Sequence, residues 1–263
     1  MNRCLNALKA GLIAAAIAAA SVHAAAAAEP WRRIFDGHSL KGWIPKIARH
    51  PLGDNYKETF VADHGAIRVS YAGYDRFAAQ FGHLMYQTPL KAYRLRLRYR
   101  VLPSTLPDIP GWAHSNSGVM FMGQAPETMT LNQSFPVSLE FQILGPDGPG
   151  PRPTGSVCTP GTNIFFDGVM AVPHCTTSHG PTIPDGTWVK LELEVLPTGE
   201  ITQRINGAEV LHYARPELDP RDADARPLIA ARGGNLTLTE GYISLQSEGH
   251  PVEFKDIEIQ QIR

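Results

Sequence analysis

The chain has 263 residues, with 24 Lys and Arg against 25 Asp and Glu. A net charge of −1 is nearly neutral, which gives little support to nucleic acid or an anionic membrane as the partner. The length suits one β domain with a full core.

Residues 1–28 begin with Arg3 and Lys9, continue through an alanine-rich apolar run from Leu12 to Ala20, and end on Ala26-Ala27-Ala28 before Glu29. This pattern predicts a secretory signal peptide, too short to anchor in a membrane. The expected location is therefore periplasmic or extracellular, with residues 29–263 as one mature domain. Without Arg3 and Lys9, 22 basic residues face 25 acidic ones. Cys158 and Cys175 remain. In an oxidising compartment a disulfide between them is the default, and two buried thiols are the alternative. No C-x-x-C spacing favours a metal pair.

Trp31 to Trp43 reads as a strand or extended arm broken by turns, and residues 45–58 as irregular. Phe60 to Val69 reads as a hairpin turned by His64-Gly65. A short strand is expected over 83–89. From Tyr93 to Val101 the alternation is strict. Tyr93, Leu95, Leu97, Tyr99 and Val101 share one face, and Arg94, Arg96, Arg98 and Arg100 the other. A solvated outer face is preferred for these arginines over a cationic binding surface. After the proline-rich loop 103–110, a short strand follows His114-Ser115-Asn116-Ser117-Gly118. A second runs from Val137 to Gly145, with Val137, Leu139, Phe141 and Ile143 on one face and Ser138, Glu140 and Gln142 on the other.

Residues 145–187 are dense in Gly, Pro, Thr and Ser and predict a long loop pinned by the two cysteines. Alternation returns over Trp188–Leu196, then over 201–205 and 208–213 around the Asn206-Gly207 turn. Residues 214–235 read as loop with one helical turn near 222–231. Strands over 241–246 and 252–262 finish the domain, the last with a bulge at Lys255-Asp256 where the apolar phase slips. Many short strands and no long amphipathic helix predict an all-β, two-sheet antiparallel sandwich.

In order along the chain stand Phe35-Asp36-Gly37…Gly42-Trp43, Asn116-Ser117-Gly118-Val119-Met120-Phe121, Leu139-Glu140-Phe141-Gln142-Ile143-Leu144, Trp188 with Asn206-Gly207, and Ile243-Ser244-Leu245-Gln246…Val252-Glu253-Phe254. Together they resemble the 3-keto-disaccharide hydrolase domain family across nearly all of the mature chain. The resemblance implies a concanavalin A/laminin-G-like jelly roll. It also implies an exported enzyme acting on a small carbohydrate, a 3-keto-glycoside. The cysteine-bearing loop looks like a subfamily feature.

Such a substrate needs a base for the proton at C2, a stabiliser for the enolate oxygen and an acid for the leaving oxygen. A glucanase of the same fold would carry Glu-x-Asp-x-x-Glu on one strand. Here the positions read Glu140, Gln142 and Gly145, which disfavours paired-carboxylate glycoside hydrolysis from that strand. The expected catalytic set is Glu140 as base, with Gln142 and His114. Asn116, Trp112, Glu248 and His250 are the expected substrate contacts. Trp112 is either a sugar-stacking platform or a core anchor. The set also admits a divalent cation, Ca²⁺ or Zn²⁺, on Glu140 and His114. His174 and His179 read as loop packing. A non-catalytic carbohydrate-binding or laminin-G-like module on the same sandwich is the alternative.

Overall fold

The computed structural model describes residues 29–262. The expected signal peptide lies outside these residues. In chain order the strands are β1 (Arg32–Arg33), β2 (Trp43–Ile47), β3 (Phe60–Asp63), β4 (Ala66–Val69), β5 (Gly82–Tyr86), β6 (Tyr93–Val101), β7 (Asn116–Gly123), β8 (Leu139–Leu144) and β9 (Val157–Cys158). They continue as β10 (Thr162–Phe166), β11 (Val169–Met170), β12 (Cys175–Thr176), β13 (Val189–Val195), β14 (Glu200–Ile205), β15 (Ala208–Leu218), β16 (Tyr242–Ser247) and β17 (Val252–Gln261), with the helix α1 (Ala225–Ala231) before β16. A ten-stranded sheet runs β11-β10-β15-β14-β13-β6-β17-β4-β3, with β1 on β17. A seven-stranded sheet runs β12-β9-β8-β7-β16-β5-β2. Every pairing is antiparallel among the described residues. The fold is thus the expected all-β jelly-roll sandwich.

Period-two alternation builds both layers. Leu95, Leu97 and Tyr99 of β6 and Leu139, Phe141 and Ile143 of β8 belong to one buried core between the sheets. The arginines of β6 face outward and are paired. Arg96 meets Glu258 at 2.7 Å, Arg100 meets Glu253 at 2.6 Å, and Arg94 meets Glu194. That outer face is a lattice of opposite charges, as cross-strand pairing favours. His64 and Gly65 turn the β3–β4 hairpin, and Asn206 and Gly207 the β14–β15 hairpin, all four at positive φ. The register of β17 on β6 shifts between Lys255 and Glu258, with Asp256 at φ 54°, which is the expected bulge.

Three expectations need correction. Residues 45–47 are strand, because β2 is an edge strand and tolerates Pro45 there. Residues 214–218 continue β15 past an irregular residue, Arg215, at φ 54°. The 145–187 segment contains β9 to β12, which add to both sheets. These strands span two to five residues, too few for periodicity to stand out among the Gly and Pro.

The disulfide Cys158–Cys175 joins β9 to β12 at directly opposed positions, Cα to Cα 4.1 Å. Gln203 of the other sheet donates to the Gly155 carbonyl at 2.8 Å and accepts from Tyr213 at 2.5 Å. The segment is therefore a strap sewn to both layers. Closing a loop of 17 residues' separation should stabilise by about 3 kcal/mol through the unfolded chain. Cys158→Ser/Cys175→Ser should lower unfolding free energy by roughly 2–4 kcal/mol in urea titration. An unchanged midpoint would mean the strap is held by its hydrogen bonds alone.

Candidate active site

The outward face of the seven-stranded sheet carries polar residues in register. One row crosses it as Met85, Ser244, Met120, Glu140, Cys158 and Cys175, each paired with the next. In the neighbouring row Lys46 opposes His83, and His83 opposes Gln246. On the far side of that row Gly118 opposes Gln142. Leu245 pairs with Val119, so Gln246 falls beside Gly118. The glycine matters here: a Cβ at 118 would lie 2.5 Å from Glu140 Oε1 and 2.8 Å from its Cγ. Gly118 is the space in which the Glu140 side chain lies.

Above this face is a cleft of about 920 Å³. Glu140, Gln142, Asn116 and Glu248 contribute to it, with Trp112 among its lining residues. The strap supplies another part through Cys158, Thr159, His174 and Cys175. Asp219, Asp222 and Asp224, just before α1, add an acidic wall. The loop 130–136 walls a further part, and two buried cationic-type side chains hold it. Lys46 Nζ donates to the Leu131 carbonyl at 3.0 Å, and His83 Nε2 lies 3.0 Å from the Ser134 carbonyl. Burial, with Lys46 nearby, lowers His83 to about 4, so it is a neutral donor there.

Glu140 and Glu248 are both buried. Desolvation raises Glu140 to about 8. Glu248 is pushed well above the usual carboxylate range, first by burial and then by the charge of Glu140, while Arg152 opposes the shift. Two carboxyls in one desolvated place do not both ionise readily, so near neutrality the pair favours holding a proton. Glu248 Oε2, Asn116 Oδ1 and both amide atoms of Gln246 are buried without a hydrogen-bond partner among the described residues. Unpaired buried polar atoms cost on the order of 1–3 kcal/mol each and cluster where ligands bind.

Of the expected residues, Glu140, Gln142, Asn116, Trp112 and Glu248 come together in the cleft. Trp112 is 58% exposed and stacks on Phe81, with centroids 5.6 Å apart and planes 10° apart. It is not a core anchor, and its ring is open to the cleft. His114 and His250 are not among the cleft's lining residues. Their rings lie 6.0 Å apart. His114 sits 3.6 Å from Asp147, and His250 Nδ1 accepts from the Ser115 N–H at 3.1 Å. Burial first, and His114 second, lower His250 to about 4. Among the described residues no three His, Cys, Asp or Glu side chains gather to hold a metal ion. The donor set does not fit a cation on Glu140 and His114. His174, expected as loop packing, lines the cleft instead, and so does the loop 130–136, which was not anticipated. Arg152, also not anticipated, does not line the cleft but holds the Trp112 carbonyl from behind.

A jelly-roll sandwich with an open, acid-lined cleft on one sheet is an architecture that accommodates a small ligand. The family model for the 3-keto-alpha-glucoside-1,2-lyase-like domain matches residues 30–260, and the chain belongs to that family. No curated protein sequence matches it. Among solved structures, a provisionally assigned glycosyl hydrolase from Parabacteroides distasonis ATCC 8503 is similar at a TM-score of 0.52 and 14% identity, over 89% of this chain and 94% of its own. A protein of unknown function with a galectin-like fold from Bacillus subtilis has a TM-score of 0.49 at 11% identity, with 85% and 92% covered. The Ca²⁺/Man3GlcNAc-bound exoplasmic domain of VIP36 has a TM-score of 0.48 at 8% identity, with 87% and 86% covered. At 14% identity the likeness to the Parabacteroides structure concerns the fold alone. Among the described residues no helix is long and apolar enough to cross a membrane.

A carboxyl raised on folding binds more protons in the folded state. Its stabilising contribution is complete below its ordinary value and is lost as pH rises through the folded one. For Glu140 the window runs from 4.5 to about 8. Thermal unfolding midpoints should fall across that window in the wild-type protein. The fall should be much smaller in Glu140→Gln, and smaller in Gly118→Ala, whose methyl group displaces the carboxyl. A wild-type midpoint that stays level over the window would show that Glu140 is not held protonated.

Proposed function

We propose that the protein cleaves 3-keto-glycosides by elimination and hydration. The observation that carries this reading is the buried Glu140–Glu248 pair on the cleft floor. A ketone at C3 acidifies the C2 proton. Glu140, in the fraction that is ionised as pH approaches about 8, takes that proton, and the electron pair forms the C1–C2 double bond as the C1–oxygen bond breaks. Glu248, protonated, gives its proton to the departing oxygen. The product is an enone conjugated with the C3 ketone. Water then adds in the reverse sense, hydroxyl to C1 and proton to C2, so the net reaction is hydrolysis. A pair with values pushed apart supplies one base and one acid together.

The remaining residues position the sugar. Asn116 Oδ1 is a free acceptor that suits a sugar hydroxyl, and Gln142 lies on the same strand face as Glu140. The Trp112–Phe81 deck suits the C–H face of a pyranose. His114 receives no step, since it is absent from the cleft lining. A non-catalytic binding module would use an aromatic platform without convergent acid and base groups, and the carboxyl pair counts against it. Export through residues 1–28 belongs to the same proposal, supported by the disulfide, which an oxidising compartment preserves.

Purified protein should release the leaving group from members of a panel of 3-keto-glycosides, equally with and without a chelator. Glu140→Gln and Glu248→Gln should each lower kcat by about 10²–10⁴-fold, whereas His114→Ala should stay within a few-fold of wild type. Full activity in Glu140→Gln would remove it from the mechanism. Sugar binding without turnover in the wild-type protein would favour the binding module.

A further inference from the structure

Arg152 lies in the connection between β8 and β9 and is half-buried. Its guanidinium donates to three carbonyls: Gly145 at 3.1 Å, Trp112 at 3.2 Å, and His114. Its own N–H donates to Thr182 Oγ1 at 2.6 Å. Those carbonyls belong to the turn entering β7 and to the residue just after β8. Asn116 Nδ2 also reaches the Trp112 carbonyl at 3.2 Å. One planar cation thus ties together the approaches to the strands that carry Asn116 and Glu140, and it fixes the backbone beneath the Trp112 platform. A guanidinium presents several donors in one rigid fork, which an ammonium cannot reproduce.

The same charge acts on one member of the carboxyl pair, Glu248. Arg152 interacts electrostatically with Glu248, Asp147 and Asp185. Glu248 in turn faces Glu140 and the buried phenol of Tyr71, whose oxygen accepts from the Gly249 N–H at 2.6 Å. His250 faces His114, Arg152 and Asp147. Arg152 is therefore the cation among these groups that acts on Glu248 and also holds the backbone around the site.

We infer that Arg152 is the positioning residue of the site: it seats Trp112 and the entry to β7 through three backbone carbonyls and sets a fixed positive charge toward Glu248. This rests on the reading of the pair as base and acid. Without the cation, an acid as reluctant as Glu248 would hold its proton too tightly to protonate a leaving oxygen. The two roles separate on substitution. A lysine keeps the charge but cannot span three carbonyls; a glutamine loses the charge and keeps part of the hydrogen bonding.

The test is carboxyl titration by NMR on protein with ¹³C-labelled glutamate, assigned with Glu140→Gln and Glu248→Gln, alongside pH–rate profiles and KM on a 3-keto-glycoside. In Arg152→Gln the pair should titrate higher by about one pH unit, and the pH–rate profile should move up with it. In Arg152→Lys the titration should stay within a few tenths of a unit of wild type, while KM rises roughly tenfold. If Arg152→Gln does not fold, Arg152→Lys carries the test through this split. An unshifted titration in folded Arg152→Gln, or wild-type KM in Arg152→Lys, overturns the corresponding role. Should the wild-type protein turn over no 3-keto-glycoside while the titration still shifts, the electrostatic role stands and the catalytic reading falls.

Discussion

Two glutamates that fold without water are the constraint to which the site answers. A buried carboxyl is tolerated when it is neutral, hydrogen-bonded or paired with a cation. Glu140 and Glu248 use the first and last of these in part: burial favours their neutral forms, and Arg152 opposes that preference at Glu248. The absence of a side chain at Gly118 is the steric counterpart, since it alone leaves Glu140 room on a crowded sheet face. Sheet register, strap and turns all serve to keep these groups together and dry.

The sandwich divides its labour between sheets. The ten-stranded layer faces outward with paired charges and inward with an aliphatic and aromatic core, so its stability does not depend on the cleft. The seven-stranded layer shares that core through its odd-numbered β8 residues and presents Glu140 and Gln142 to the cleft. Polar residues that remain unpaired there are costly to folding and are tolerated on a scaffold stabilised elsewhere.

Much of this was legible in the order of residues. Strict alternation over Tyr93–Val101 and Val137–Gly145, the Asn206-Gly207 turn and the slipped phase at Lys255-Asp256 are local signals, and local geometry obeyed them. Glu140 and Gln142 stood out because a strand face announces its polar members. Gly118 carried no such signal, since a glycine does not declare whether it serves a backbone angle or a neighbour's side chain. Arg152 was invisible for a related reason: its partners are carbonyls, which every residue has, and they lie 7 to 40 positions away in sequence. The histidines at 114 and 250 drew notice by chemical type, but neighbouring rings and a backbone N–H occupy them.

Pro45 gives the seven-stranded sheet one further property. It sits on β2 at one edge, where it removes a backbone donor, and its carbonyl is already taken by the Gly53 N–H at 2.8 Å. The opposite edge, β12, is two residues long and covalently fastened to its neighbour. Neither border offers a length of free backbone on which another chain could extend the sheet. A sheet face lined with polar groups can therefore stay open to small solutes without its borders nucleating strand addition and aggregation.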